Sequence, residues 1–230
     1  MTVSAMSEVS IIGTLSEGAV HSFVKAYIEP REQMQEVSYL GYVADIKNED
    51  GITEVQTSSF ERLRDKFQAF LENDTLTLVC PIISRKTLIS INSEGEVGSV
   101  RKSPKSVKPI ALCSELYKIR DFLSHPRLTL KILELSCTEY RPVGKAQRRK
   151  MKERRVEKIL AQTVLRTTED YRALLLPPDI NGEFFASEYI KKSGIKSRPA
   201  YCALGVLTEL GIIEKCEKRG RAFIYKTVNS

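Results

Sequence analysis

Between Tyr42 and Leu71 the hydrophobic period of this chain changes from that of a strand to that of a helix, and every fold open to the chain must place that switch. Tyr42-Val-Ala-Asp45-Ile is apolar around a single acid, and the segment Lys47–Gly51 ends in Asp-Gly, a hairpin signal. Ile52, Glu54 and Gln56 then alternate with Thr53, Val55 and Thr57, which predicts a strand. Phe60, Leu63, Phe67, Phe70 and Leu71 follow at helical spacing, with Ser58 or Ser59 as the cap. Asp45 thus lies just before the turn and Glu54 just after it, so cross-strand pairing can bring the carboxylates together. Two carboxylates are enough protein for a Mg2+ or Mn2+ ion whose shell is completed by water and phosphate. Gln56 projects from the Glu54 face, where its amide can hold water or a phosphate oxygen. The same spacing also fits a hairpin carrying two solvated acids.

Upstream, Thr14–Tyr27 reads as an amphipathic helix with Leu15, Ala19, Phe23, Ala26 and Tyr27 near one side and Ser16 as the cap. Glu17 lies in its first turn, where an acid suits the helix dipole, and His21 follows one turn later on the same face. Glu36–Leu40 is a strand, with Gly41 marking a bulge or tight bend. Downstream, Leu76–Ile83 is a strand reached from the third strand through a helix, hence parallel to it by a right-handed crossover. Lys86–Ile91 is a further strand, Val100–Lys108 a basic Pro-containing loop, Ile110–Leu123 a helix and Leu128–Leu135 a strand returning to the sheet.

The 42% apolar content supports a core, and no apolar run reaches the length of a membrane span. Five widely spaced cysteines without a C-x-x-C pair, and only two histidines, point to reduced thiols in a cytoplasmic protein and away from a zinc site. The net charge of +7 hides an asymmetry. Residues 1–96 carry 8 Lys and Arg against 15 Asp and Glu, whereas residues 97–230 carry 28 against 14. The second part has the sign a polyanion requires.

The pattern Asp45, Glu54-Val-Gln56 and a following helix, inside the order helix, three strands, helix, strand, resembles the PD-(D/E)XK nuclease superfamily over roughly residues 15–83. The resemblance implies a restriction-endonuclease-like αβββαβ core. It also implies a metal held by Asp45 and Glu54, with Glu17 contributing from the first helix. Gln56 stands where that family usually has the lysine that assists the nucleophile, and Lys66 on the next helix can supply a migrated positive charge.

Lys145–Lys158 holds eight basic and two acidic residues in fourteen, with Val156, Ile159 and Leu160 opening an apolar stripe that predicts a helix. Arg148, Arg149 and Lys152 in this run can grip a DNA backbone, and a solvated linker is the other reading. From Thr168 the chain reads helix, Pro177-Pro178, helix from Phe184, a turn at Gly194, helix from Pro199 to Leu210, then two strands around Lys218–Arg221. This order resembles a winged helix-turn-helix. The resemblance puts Lys196, Ser197, Arg198 and Tyr201 at the start of a recognition helix and Arg219 and Arg221 at a wing tip. The chain therefore divides into a nuclease-like domain (1–140), a basic helical linker (141–166) and a winged helix-turn-helix domain (167–230). The function expected is metal-dependent cleavage of double-stranded or branched DNA. A DNA-binding regulator with a degenerate nuclease fold and a protein-interaction scaffold are the alternatives. The oligomeric state is open, a homodimer included.

Overall fold

A computed structural model of the chain describes residues 18–92, 96–142 and 153–228. Its elements are α1 (Gly18–Ile28), β1 (Gln35–Tyr39), β2 (Tyr42–Asn48), β3 (Gly51–Val55), α2 (Arg64–Asn73), β4 (Leu76–Ile91), β5 (Val97–Lys102), α3 (Cys113–Leu116), β6 (Leu128–Pro142) and β7 (Glu153–Leu165). They continue with α4 (Thr168–Leu175), β8 (Glu183–Phe185), α5 (Ala186–Ser193), α6 (Ser197–Glu209), β9 (Ile213–Arg219) and β10 (Ala222–Thr227).

The switch in period falls where the sequence puts it. β2 and β3 pair antiparallel across Glu49-Asp50, with Asn48 opposite Gly51. Gly51 has φ +107°, and a Cβ there would lie 2.8 Å from the Thr75 carbonyl oxygen, so no other residue fits. Phe60, Leu63, Phe67, Phe70 and Leu71 are all buried. The helix is capped differently from expectation. Ser59 makes no side-chain cap and lies in the left-handed region. Instead Glu115 Oε2 accepts the Phe60 N–H at 2.9 Å, and a 3-10 turn over Phe60–Leu63 leads into α2.

The elements assemble into a mixed α/β fold. One seven-stranded sheet runs β1-β2-β3-β4-β6-β7, with β5 on the far end of β4. The β3–β4 pair is parallel, as a helical crossover requires, and so is β4–β6, whereas the outer pairs are antiparallel. The two strands expected over 76–83 and 86–91 are one strand, β4, kinked by a bulge between Ile83 and Arg85. One face of the sheet, through Val55, Val79, Leu133, Leu135 and Cys137, packs on Val20 and Val24 of α1. The other, through Ile52, Leu78, Cys80 and Leu130, packs on α2 and α3. Alternation along each strand divides its side chains between these layers. The β1–β2 hairpin turns on Leu40 (φ +50°) and Gly41 (φ +80°), a tight two-residue loop with no bulge.

The basic helical linker expected over 141–166 is corrected where it is described. Glu153–Leu165 is strand β7, antiparallel on β6. Two bulges shift its register, pairing Val156 with Cys137 and Ile159 with Leu135. Both apolar side chains therefore reach the α1 layer although they stand three residues apart. That spacing imitates a helix. The first unit consequently ends near Leu165 and not at residue 140.

After Thr167, whose side chain and Asp170 form a reciprocal capping box on α4, the chain builds a second unit. In it β8, β10 and β9 form a three-stranded antiparallel sheet beside α4, α5 and α6. One hydrophobic cluster runs from Leu78 and Leu130 through Cys113 and Leu116 to Tyr171, Tyr189, Ala203 and Leu207, so the two units share a core. Cys113 Sγ donates to the Pro199 carbonyl at 3.2 Å, and a Cβ on Gly205 would lie 2.4 Å from the Tyr117 ring.

Candidate functional site

The β2–β3 ladder puts Ile46 opposite Thr53, so the next facing pair is Asp45 and Glu54. Their side chains continue the pairing. Val55 N–H donates to Asp45 Oδ2 at 2.8 Å, and Asp45 N–H donates to Glu54 Oε1 at 3.2 Å. Each carboxylate thereby fixes the other strand's backbone and is itself fixed. Each carboxylate also meets a side chain from one of the two helices. His21 Nε2 of α1 lies 3.1 Å from Asp45 Oδ2, and Lys66 Nζ of α2 lies 2.6 Å from Glu54 Oε2.

Glu54 is 3% exposed, and burial followed by the negative charge of Asp45 pushes its carboxyl up to about 7 against the pull of Lys66. Burial also works against ionised Asp45. The bonds from His21 and Val55 N–H and the fields of His21 and Lys66 outweigh it, and hold that carboxyl below its usual range. Neighbouring carboxyls with separated proton affinities form an acid–base pair. The oxygens are hard donors of the kind Mg2+ takes, and Asp45 Oδ1 lies outside both hydrogen bonds of its partner oxygen. Among the described residues no three His, Cys, Asp or Glu side chains converge as a ready metal cage. An ion at this site would rest on the two carboxylates, with water and phosphate.

The structure thus brings together Asp45, Glu54 and Lys66. Gln56 is turned away from a free role, its amide nitrogen donating to the Ser58 carbonyl of its own loop while its backbone N–H bonds Val79. Glu17, Arg148, Arg149 and Lys152 lie outside the described residues. His21 is the site residue the sequence singled out only for its place beside Glu17. Its spacing on α1 was the available signal.

In the second unit Lys196, Ser197, Arg198 and Tyr201 are exposed at the start of α6, Tyr201 by 54%. Further along the helix Ala203, Leu204, Val206 and Leu207 are buried, Gly205 faces Tyr117, and Glu209, itself exposed, lies 3.6 Å from Arg120. Arg219 and Arg221 flank Gly220 at the tip of the β9–β10 hairpin, and Arg219 lies 3.5 Å from Glu183. Among the described residues no helix is long and apolar enough to cross a membrane.

A second cluster was not legible in the sequence. Glu139 of β6, 1% exposed, is held by Lys86 of β4 at 3.2 Å, Arg141 at 2.7 Å and Arg154 of β7 at 3.2 Å. Burial opposes its charge, but these bonds prevail and hold its carboxyl at about 2. Lys86 and Arg154 also line a cleft of about 590 Å³ that opens beside Val20 and the Thr57-Ser58 loop. Nothing about residues 86, 139 and 154 in sequence announces the meeting, which is made by the parallel β4–β6 and antiparallel β6–β7 registers.

A family model described as "Domain of unknown function (DUF8091)" matches residues 18–169. That span begins at α1, contains every member of both clusters, and stops within α4, close to the observed end of the main sheet. A protein of Treponema pallidum (strain Nichols), described as "Uncharacterized protein", is 29% identical over 222 residues, covering 94% of this chain and 87% of its own length. No solved structure matches the chain. With about two thirds of its length matched, and the whole Asp45–Glu54 site inside the match, the chain belongs to the DUF8091 domain family.

Proposed function

We propose that this chain is a divalent-metal-dependent DNA endonuclease with a PD-(D/E)XK, restriction-endonuclease-like core, whose C-terminal unit is a winged-helix DNA-binding domain. The observation that carries the reading is the meeting of Asp45 and Glu54 across β2 and β3, with His21 on one and Lys66 on the other. A buried carboxyl raised by its own burial and then by the charge of a half-buried neighbour is a place where a hard cation gains on binding. Asp45 and Glu54 would hold Mg2+ or Mn2+. Such an ion, when bound, activates water and neutralises charge on the phosphate. His21 keeps Asp45 in position. Lys66 brings an ammonium to the site from α2, in the role that Gln56, tied to its own loop, does not fill. Exposed Lys196, Arg198 and Tyr201 at the start of α6, and Arg219 and Arg221 on the hairpin, support DNA as the partner. Further along α6 Gly205 is pressed against Tyr117, which limits how much of the helix can enter a groove.

The test is cleavage of duplex, single-stranded and branched DNA with Mg2+ or Mn2+, with EDTA as control. Asp45→Ala and Glu54→Ala should each abolish cleavage while leaving the thermal transition cooperative. Cleavage that survives both substitutions would overturn the assignment. A second reading, a DNA-binding regulator with a degenerate site, is favoured by one observation. Both oxygens of Glu54 are already taken, by Asp45 N–H and by Lys66. It predicts DNA binding that is indifferent to divalent metal, and no cleavage.

A further inference from the structure

We infer that the cleft between the Thr57-Ser58 loop, the bulged part of β4, the loop after β5 and Arg154 binds the phosphodiester backbone of a nucleic-acid single strand. Lys86, Lys105 and Arg154 are the phosphate contacts, and Glu139 is the residue that positions two of them. The first support is charge. One buried carboxylate, Glu139, faces three cations, Lys86, Arg141 and Arg154. The cluster keeps a surplus of two positive charges, and two of its cations line the cleft. A buried carboxylate holds long side chains in one geometry at a substantial desolvation cost, an arrangement that suits fixed donors for an anion.

The second support is that the loop carrying Lys105 is tied down beside them. Ser103 N–H donates to the Lys86 carbonyl at 2.8 Å, and Ser106 Oγ donates to the Ser84 carbonyl at 2.7 Å. The Ser84 hydroxyl is itself buried at this bulge without a partner. The lining includes one carboxylate, Glu115, which is engaged by Phe60 N–H and by Lys118 and so presents little unpaired charge to an anion.

The third support is size and place. At about 590 Å³ the cleft has the volume of a small-ligand pocket, far too small for a duplex, and its lining includes Pro81, Ile83 and Leu112, whose apolar surfaces suit bases better than water. Thr57 and Ser58 at its rim follow directly on Glu54–Gln56, so a strand lying in it continues towards the Asp45–Glu54 pair. The identity of the polyanion as a nucleic-acid strand rests on the proposed function. The phosphate chemistry of the cleft does not.

The test is fluorescence anisotropy of the full chain with a labelled single-stranded oligonucleotide in EDTA, with a duplex and inorganic phosphate as competitors. Lys105→Gln, at an exposed position, and Arg154→Gln should each weaken single-strand binding about tenfold. The log–log salt slope should fall by about 0.7 for each contact removed. Glu139→Gln is the decisive variant, because it adds a net positive charge. Tighter binding would mean that charge alone acts and would overturn the positioning role, whereas weaker binding in a folded variant supports it. Single-strand affinity unchanged in Lys105→Gln and Arg154→Gln overturns the cleft. Inorganic phosphate binding as tightly as the oligonucleotide makes the occupant a small phosphate and overturns the strand. Cleavage with these affinities unchanged sinks this inference alone, and cleft-dependent binding without metal-dependent cleavage sinks the nuclease reading alone.

Discussion

Replacing Glu54 with Gln removes a carboxyl whose proton affinity burial and Asp45 raise to near neutral pH, and the size of the effect follows from the site. The carboxyl rises from an ordinary 4.5 to about 7 in the folded chain. At about 1.4 kcal/mol for each tenfold in proton affinity, that rise is worth about 3 kcal/mol. The sign follows from which state holds the proton. Between these two values the folded chain keeps a proton on Glu54 that the unfolded chain has released. The stabilisation is complete below pH 4.5 and is lost as the pH rises towards 7. Gln cannot titrate, so the stability of the wild type relative to Glu54→Gln should fall by about 3 kcal/mol between pH 4.5 and pH 8. Urea denaturation of both proteins in EDTA measures this, with the mutual effect of Asp45 and Glu54 included in the difference. Millimolar Mg2+ should flatten the wild-type curve, because a cation on the carboxylates favours the ionised form. A difference that stays constant from pH 4.5 to 8 would refute the reasoning, and would mean that Lys66 alone keeps Glu54 charged throughout.

Three further outcomes follow from the packing. Glu139→Ala leaves three partly exposed cations around an empty position and should cost about 1–3 kcal/mol in chemical denaturation. Gly205→Ala drives a methyl into the Tyr117 ring. It should destabilise by about 1–3 kcal/mol, and Tyr117→Ala in the same chain should recover part of that loss, as a double-mutant cycle would read. Leu40→Gly relieves a left-handed, half-exposed leucine at the β1–β2 turn and should raise stability by roughly 1 kcal/mol, visible as a higher Tm.

Much of the core and the central pair was legible because the chain states them in short-range terms. The hairpin signal at Asp50-Gly51 and the alternation of Ile52, Glu54 and Gln56 fix a register in which Asp45 must face Glu54, and the structure has that register. The Phe60–Leu71 stripe likewise brings Lys66 to the site from α2. β7 was misread because bulges decouple side-chain direction from sequence spacing, so Val156 and Ile159 counted as a helix. The boundary at residue 140 rests on the basic composition that begins there, which does not mark the end of the sheet because β7 pairs with β6. The Glu139 cluster joins residues 53 apart on strands whose order in the sheet no local pattern encodes. The Phe60 cap is equally distant, since it is provided by Glu115 and not by a neighbouring serine.

The packing of α6 on Tyr117 has a mechanical meaning. Gly205 is pressed against Tyr117, the Pro199 carbonyl takes a bond from Cys113, and one hydrophobic cluster runs through both units. The C-terminal unit is therefore not a tethered reader swinging on a linker. Whatever engages the hairpin tip at Arg219 and Arg221 is held at one set offset and one angle from Asp45 and Glu54. On the proposed function the molecule acts as a ruler, measuring a fixed interval of nucleic acid between the place it grips and the place it cuts.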